Sequence, residues 1–231
     1  MQSRINELIK ISRIEAEKWI SYGLKKKEEK EIKDLLSEGN EINLIESFHK
    51  KLEFGTGGMR GLIGIGSNRI NSYTISLATQ GLCNYLNKVI DGNKSAVIAY
   101  DSRRFSKEFG NQTAKIFSAN NIKSYIFSDL RPTPELSFAV IELNCSCGIV
   151  ITASHNPKEY NGYKVYWNDG GQITSPHDSN IISEVEKITD FNQININFNN
   201  DLIEEIYYKI DKKYIEKIQD LSVYDNSRSK L

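Results

Sequence analysis

Two short runs of consecutive apolar residues restrict the fold of this chain more than any other feature. They cover residues 95–100 (SAVIAY) and 148–152 (GIVIT), and the first is followed directly by Asp101. Runs of this length are too short for buried helices and have no polar face, so they predict strands that are covered on both sides. Parallel sheets flanked by helices contain strands of this kind.

The segments around these two runs alternate in type. Apolar residues at helical spacing predict helices over residues 73–90, 105–120 and 134–143, and a further strand is predicted over 122–127. Strands that alternate with helices imply crossover connections, in which the helices cover both faces of a parallel sheet. We therefore predict an α/β fold with a mixed, largely parallel sheet sandwiched by helices.

The region before the first strand has a different character. Residues 1–50 have apolar positions at helical spacing and predict a helical N-terminal extension. Residues 54–66 contain six glycines, so this segment does not form a stable helix. We expect its backbone either to turn tightly or to approach a ligand closely.

The region after residue 160 is predicted from weaker patterns. A strand and turn are expected over 161–174, a helix from 176 to 187, and a second helix over 201–221. Asparagine is dense between 192 and 200, which is typical of a linker. We divide the chain into a helical N-terminal extension (1–50), an α/β domain (51–190), and a linker with the start of a second domain (191–231).

The charge and cysteine content exclude several classes of protein. Lys plus Arg and Asp plus Glu both number 30, so the sequence lacks the basic excess of a nucleic-acid-binding protein. No apolar run approaches the roughly 20 residues that span a bilayer, and no signal peptide is recognisable. The chain has only three cysteines, as expected in a reducing compartment. We expect a cytoplasmic protein with no nucleic-acid or membrane partner.

A serine follows the second apolar run, in the segment 152–157 (TASHNP). Pro157 holds Asn156 in an extended conformation, so Ser154 lies in a constrained loop at the edge of the sheet where ligands bind. Most serines in such loops only close a turn. A serine hydrolase is disfavoured, because GxSxG is missing and the adjacent His155 is poorly placed as a triad base for Ser154. An exposed hydroxyl here can instead exchange a phosphoryl group.

Three further segments carry groups that can bind an anion. GTGGMRG, residues 55–61, offers backbone N–H groups and Arg60, although it is neither a P-loop nor a dinucleotide fingerprint. Arg103 follows a strand end in the sequence YDSR, and Lys164 lies in the sequence NGYKVY. Each segment alone also has an ordinary explanation: a tight turn, a helix cap with exposed arginines, or an exposed strand lysine.

Together, these motifs resemble those of one family. GTGGMRG, YDSR, TASHNP and NGYKVY closely resemble, in the same order, the motifs of the α-D-phosphohexomutases, and the resemblance extends from about residue 50 to 190. The continuation YWNDGGQI and the helical N-terminal extension resemble the branch of phosphoglucomutases and phosphopentomutases. The resemblance implies an enzyme that interconverts a sugar 1-phosphate and a sugar 6-phosphate through a phosphoserine and a sugar bisphosphate.

The resemblance also implies roles for individual residues. Ser154 matches the serine that carries the phosphoryl group, His155 the histidine that orients the reacting groups, and Lys164 the lysine that assists proton transfer. Arg60 matches the arginine that contacts the reacting phosphoryl region. The other predicted substrate- and phosphate-binding residues are Thr56, Gly57, Arg103 and Asn156.

Cofactors and partners are expected from the same resemblance. The substrate is a phosphosugar, a sugar 1,6-bisphosphate acts as activator, and Mg²⁺ is bound in part by the phosphate on Ser154. The family holds this metal with a loop of three aspartates, whereas residues 1–231 contain no Asp-x-Asp pair. We therefore expect the N-terminal portion of such an enzyme, with the other metal ligands and the C-terminal domains beyond residue 231. Residues 1–231 alone are not expected to be a competent mutase.

Two alternatives stay open. A phosphopentomutase or a sugar-bisphosphate synthase of the same branch differs in loops that this sequence does not contain. A truncated, non-catalytic remnant that acts only as a binding module is the other alternative, and a large exposed apolar patch would favour it.

Overall fold

The computed structural model describes residues 2–221, which form eight α-helices and one seven-stranded sheet. The helices are α1 (Gln2–Ser21), α2 (Lys26–Leu36), α3 (Glu41–Phe48), α4 (Ser72–Val89), α5 (Ser106–Ala119), α6 (Thr133–Glu142), α7 (His177–Glu186) and α8 (Tyr208–Asp220). The strands are β1 (Phe54–Gly55), β2 (Gly58–Leu62), β3 (Ser95–Tyr100), β4 (Lys123–Phe127), β5 (Cys147–Ile151), β6 (Tyr160–Trp167) and β7 (Ile203–Ile206).

The sheet is mixed, with the strand order β1-β2-β6-β5-β3-β4-β7. The four strands β5, β3, β4 and β7 run parallel to one another, whereas β1, β2 and β6 are joined by antiparallel pairings. The predicted α/β fold with a mixed sheet is confirmed. Because β3 and β5 are parallel neighbours, the loops that follow them lie at the same edge of the sheet.

The central strands are buried on both faces, as their apolar runs predicted. Along β3, Ile98 packs into one hydrophobic core with residues of α4 and α5, whereas Val97 and Ala99 pack into a second core with residues of α6. This alternation follows from the period of two in a strand, since successive side chains point to opposite faces. The two cores hold the strand ends rigidly, and the loops of the site begin at those ends.

Helices α1 to α3 form a third hydrophobic cluster, which packs against the α/β part of the chain. Trp19 is 2% exposed and its ring lies 5.0 Å from the ring of Phe191 and 5.5 Å from that of Tyr73. Edge-to-face and tilted arrangements of this kind are favourable for aromatic pairs. The helical N-terminal extension is therefore docked onto α4 and the segment after α7.

The glycine-rich segment turns tightly, as expected, whereas one later segment differs from the secondary structure predicted for it. The glycine-rich segment contains the short hairpin of β1 and β2, in which Gly55 pairs with Gly58 across a two-residue turn. Residues 203–206, expected to be helical, form β7, whose Ile203 pairs with Ser124 of β4. The sequence IEEI is compatible with either state, and the open edge of β4 supplies the backbone hydrogen bonds that favour the strand.

The division of the chain into three parts stays a prediction. Residues 203–206, which were assigned to the start of a second domain, belong to the same sheet as β3 and β4. In the described part of the chain, no helix is long and apolar enough to cross a membrane.

Candidate functional site

Ser154 lies in the irregular loop between β5 and β6, at the carboxyl end of β5. Its side chain is exposed, whereas the preceding Thr152 and Ala153 are buried. The loop turns sharply here, with Ser154 N–H donating to Thr152 Oγ1 at 2.9 Å and Asn156 N–H donating to the Ala153 carbonyl at 3.1 Å. Ser154 has a φ of 55°, a left-handed conformation that costs a non-glycine residue about 1 kcal/mol or more.

Lys164 reaches the serine from the adjacent strand β6. Its neighbours Tyr163 and Val165 are fully buried on the opposite face, so the alternation of the strand directs Lys164 toward the serine loop. Lys164 Nζ donates a hydrogen bond to Ser154 Oγ at 2.7 Å. A lysine carries a positive charge at neutral pH, so the oxygen that would carry a phosphoryl group lies beside a cation.

Arg60 approaches the same loop from β2. Arg60 pairs with Gly162 in the register between β2 and β6, and its Nη1 donates to Asn156 Oδ1 at 3.0 Å. Gly162 permits this pairing, because a Cβ there would lie 2.7 Å from both the Met59 and the Thr152 carbonyl oxygens. The guanidinium of Arg60, whose side chain is exposed, therefore lies next to the serine loop.

Arg103 follows β3 and binds the backbone of the serine loop. Its Nη2 donates to the carbonyl oxygens of Ser154 at 2.8 Å and Asn156 at 2.7 Å, and its Nη1 donates to those of Pro157 at 2.8 Å and Tyr160 at 3.1 Å. Arg103 was expected to bind phosphate, but these donors are directed at carbonyl oxygens of its own chain.

The remaining predicted residues lie at different distances from this group. His155 is exposed next to Ser154. Thr56 is exposed in the turn between β1 and β2, whereas Gly57 is buried there and its carbonyl accepts from Val165 N–H at 3.0 Å. Of the predicted site residues, Ser154, Arg103 and Asn156 line the cleft beside Ser154. The described residues that line it do not include Arg60, His155, Lys164, Thr56 or Gly57.

The cleft beside Ser154 has a volume of about 650 Å³. Two cationic side chains that were not assigned from the sequence also line it, Arg104 and Lys158, together with the carboxylates of Asp101 and Glu159. Exposed lysines and arginines are common at protein surfaces, so no sequence signal distinguishes these two. With Arg60, Arg103 and Lys164 close by, positive charge predominates around the serine, which favours an anionic ligand.

The described residues do not form a magnesium site by themselves. No group of three or more His, Cys, Asp or Glu side chains in residues 2–221 is arranged to hold a metal ion. Asp101 is engaged within its own loop, since its Oδ1 accepts from Arg103 N–H at 2.9 Å and from Ser106 Oγ at 2.8 Å. Mg²⁺ prefers several oxygen ligands, including carboxylates. The side chains of residues 2–221 alone therefore do not supply a complete set of ligands for Mg²⁺.

A family model described as phosphoglucomutase/phosphomannomutase, alpha/beta/alpha domain I, matches residues 51–192. The chain belongs to this family. A phosphopentomutase of Homo sapiens is 44% identical over 164 residues, covering 68% of this chain and 27% of that protein. A phosphoglucomutase of Staphylococcus aureus (strain MRSA252) is 36% identical over 217 residues, covering 93% of this chain and 38% of that protein. The chain thus spans about a quarter to two fifths of the length of these relatives.

Solved structures of the family share the fold. The open form of the exocytosis-sensitive phosphoprotein pp63/parafusin, a phosphoglucomutase from Paramecium, superimposes with a TM-score of 0.61 at 19% identity, covering 75% of this chain and 36% of that chain. A phosphoglucomutase/phosphomannomutase family protein from Burkholderia thailandensis gives a TM-score of 0.56 at 21% identity, covering 71% of this chain and 34% of that chain.

Proposed function

We propose that Ser154 is the phosphoryl carrier of a phosphoglucomutase-type enzyme that interconverts a sugar 1-phosphate and a sugar 6-phosphate. One observation carries this proposal: Lys164 Nζ lies 2.7 Å from Ser154 Oγ, in a loop that carries the family's TASHNP sequence. A serine that only closed a turn would not need an exposed Oγ beside a lysine. His155 is proposed to orient the reacting groups, and Arg60 with Asn156 to contact the phosphoryl group.

The proposed step moves a phosphoryl group from phosphoserine 154 to a hydroxyl of the sugar phosphate. The sugar oxygen forms a new bond to phosphorus, the bond between phosphorus and Ser154 Oγ breaks, and Lys164 gives a proton to the departing Oγ. The proton of the sugar hydroxyl passes to solvent, which balances the charge. The product is a sugar bisphosphate, and the reverse step at its other phosphate restores phosphoserine 154. A phosphoserine carries a charge of about −1.5 to −2, and the cations around the loop offset it.

Mg²⁺ and a sugar 1,6-bisphosphate activator remain proposals drawn from the resemblance. The contribution of this chain to a bound magnesium ion would be the phosphate oxygens on Ser154, which are good ligands for that ion. When bound, the metal would neutralise charge on the transferring group. The cytoplasmic location and the division into domains at residues 51 and 191 are likewise proposals, as are the further domains of a longer enzyme.

The substrate sugar is open between related candidates. The similar proteins include phosphopentomutases at 44% identity and phosphoglucomutases at 36% to 40% identity, so identity alone favours neither sugar. A sugar-bisphosphate synthase of the same branch is the remaining enzymatic alternative. None of the comparisons favours the non-catalytic binding module over a mutase.

Labelling tests the proposal directly. The protein is incubated with glucose 1,6-bisphosphate or ribose 1,5-bisphosphate, each with Mg²⁺, and the phosphorylated residue is mapped by mass spectrometry. We expect phosphate on Ser154 in the wild type and none in Ser154→Ala. Faster labelling by one bisphosphate indicates the preferred sugar. Ser102→Ala provides a matched control, because Ser102 lines the same cleft.

Two results would contradict the proposal. Phosphate on Ser102 or another residue, with Ser154 unmodified, would show that the cleft transfers phosphate without the proposed carrier. Equal labelling of wild type and Ser154→Ala would show the same. A coupled assay from glucose 1-phosphate to glucose 6-phosphate tests the separate expectation that residues 1–231 alone do not sustain multiple turnovers.

A further inference from the structure

We propose that Arg103 is a positioning residue, which holds the backbone of the Ser154 loop so that Ser154 Oγ stays beside Lys164, and that it does not bind the substrate phosphate. The inference rests on the proposed function of Ser154, because it concerns how that hydroxyl is held. It assigns Arg103 to the loop backbone, whereas the resemblance to the family assigned it to the phosphate.

The proposal rests on the number of Arg103 side-chain donors that are already engaged within the chain. An arginine side chain has five N–H donors and no acceptor. Four hydrogen bonds from Nη1 and Nη2 go to carbonyl oxygens of the serine loop, at 2.7 to 3.1 Å. The fifth donor, on Nε, lies 3.4 Å from Asp101 Oδ2. Four of the five donors therefore hydrogen-bond to the chain itself and the fifth forms an ion pair with Asp101, so a phosphate could be bound only by giving up one of these contacts.

The loop requires a cation in this place. The carbonyl oxygens of Ser154, Asn156, Pro157 and Tyr160 converge on one guanidinium, so their negative ends lie close together. Without a positive group between them these dipoles repel one another, and the loop would open. The left-handed Ser154 at one end of the loop adds strain that the surrounding contacts must overcome.

Arg103 is itself fixed by a buried polar network. Asp101 Oδ1 accepts from Arg103 N–H and from Ser106 Oγ, and Asn161 Nδ2 donates to Ser106 Oγ at 2.9 Å and to the Arg104 carbonyl at 3.1 Å. Ser106 and Asn161 are fully buried. Buried networks in which the polar groups have hydrogen-bond partners make the surrounding structure rigid. The backbone of Arg103 and the carboxylate of Asp101 are thus tied to the start of α5 and to β6, the ion pair with Asp101 links the guanidinium to this network, and the serine loop is bound by the guanidinium.

Arg103→Lys tests this assignment, because an ammonium has no planar fork and cannot contact four carbonyl oxygens in the same geometry. The matched control is Arg69→Lys. The side chains of Arg69 and Arg103 are both 14% exposed, and Arg69 Nη1 also donates to a backbone carbonyl, that of Glu46 at 2.8 Å, but it binds α3 and not the serine loop. Two readouts are compared: single-turnover phosphorylation of Ser154 by glucose 1,6-bisphosphate, and amide hydrogen exchange of peptides covering residues 152–162.

We expect Arg103→Lys to lower the maximal phosphorylation rate at least about tenfold, since a displacement of about 1 Å can cost about 100-fold. The half-saturating bisphosphate concentration should change less than about twofold, and exchange in 152–162 should accelerate. Arg69→Lys should alter none of these. An unchanged maximal rate with a large rise in the half-saturating concentration would assign Arg103 to the phosphate and overturn the proposal. Unchanged exchange in 152–162 would also overturn it.

Two further comparisons distinguish loss of folding in the variant and failure of the proposed function from failure of the proposal about Arg103. If Arg103→Lys loses exchange protection throughout β3, Asp101→Asn replaces it. This variant removes the carboxylate charge that faces Nε and keeps an amide oxygen that can accept from Arg103 N–H and Ser106 Oγ, so it should accelerate exchange in 152–162 to a smaller extent. No acceleration in Asp101→Asn would then count against the proposal. If the wild-type protein takes no phosphate on Ser154, the proposed function fails, and the exchange measurements alone decide whether Arg103 holds the loop.

Discussion

Glu135 should make the folded protein less stable as the pH rises from about 5 to 8. Its side chain on α6 is 7% exposed, and the charged groups that face it are Arg131, whose Nε lies 3.7 Å from Glu135 Oε1, and Asp211 of α8. Burial is the main cause that raises the pKa of Glu135 from 4.5 to about 7, and the hydrogen bond with Asp211 adds to it. Arg131 binds both oxygens of Asp211, at 2.8 and 2.6 Å, and holds the pKa of Asp211 low.

The sign and size of the effect follow from these values. Between the two pKa values Glu135 is protonated in the folded protein and ionised in the unfolded chain, so the folded state binds more protons and stability falls with rising pH. The stabilising contribution is complete below about pH 4.5 and is lost as the pH passes about 7. One pKa unit corresponds to ~1.4 kcal/mol, so the loss over the shift from 4.5 to about 7 is at most about 3.5 kcal/mol. We expect about 1 to 3 kcal/mol, because Asp211 shares the interaction.

Glu135→Gln removes the titration while keeping a side chain that can donate to Asp211. The free energy of unfolding is measured by urea denaturation at pH 5, 6, 7 and 8, followed by tryptophan fluorescence. Wild type and variant should differ little at pH 5, and the variant should be more stable by about 1 to 3 kcal/mol at pH 8. Both proteins contain the same three histidines, so their difference isolates Glu135.

The control variant is Glu142→Gln, on the same helix. Glu142 also contacts α8, through Lys213, but its side chain is 29% exposed. Its removal should shift stability by a similar small amount at every pH in this range. If the free energies of unfolding of wild type and Glu135→Gln differ by the same amount at every pH from 5 to 8, the reasoning about Glu135 is refuted.

Two further outcomes are expected. Lys164→Met should slow transfer from phosphoserine 154 to a sugar phosphate by about 10²- to 10⁴-fold, the usual range for a lost proton donor, whereas the control Lys123→Met on β4 should not. Rapid-quench assays measure the decay of phosphoserine in both variants, and similar decay rates would exclude Lys164 as the proton donor. Gly58→Ala should destabilise the fold by more than about 2 kcal/mol in urea, because its Cβ would lie 1.9 Å from the Tyr163 carbonyl oxygen. Gly92→Ala, with φ of 74° and open space, should cost only about 1 kcal/mol.

The central sheet and the serine loop could be predicted because their signals are local. The apolar runs that became β3 and β5 are buried on both faces, and no other arrangement of such runs satisfies both sides. The parallel pairing of these strands then places the loops after residues 100 and 151 at one edge. The convergence of Arg60 and Lys164 on the serine loop follows from β2 and β6, which pair next to β5.

The hairpin and the last strand could not be predicted from the same kind of signal. β1 has two residues and β7 has four, so neither run is long enough for its periodicity to be read. The hairpin of β1 and β2 is held in the sheet by the pairing of β2 with the distant β6, and β7 is set by pairing with the open edge of β4. Tertiary pairing of this kind overrides weak local preferences.

The three cationic side chains at the serine loop contact different groups, so their roles can be distinguished only from the three-dimensional structure. Lys164 contacts the hydroxyl of Ser154, and Arg60 contacts the amide side chain of Asn156. Arg103 donates its side-chain hydrogen bonds to backbone carbonyl oxygens, three in that loop and one at the start of β6. A sequence can mark a hydroxyl or an amide, but every residue has a carbonyl, so the convergence of four of them on one guanidinium leaves no sequence pattern. The cationic residues near Ser154 therefore divide into those whose donors reach side chains of the loop and those already engaged in holding its backbone. Only the count of free donors distinguishes the two.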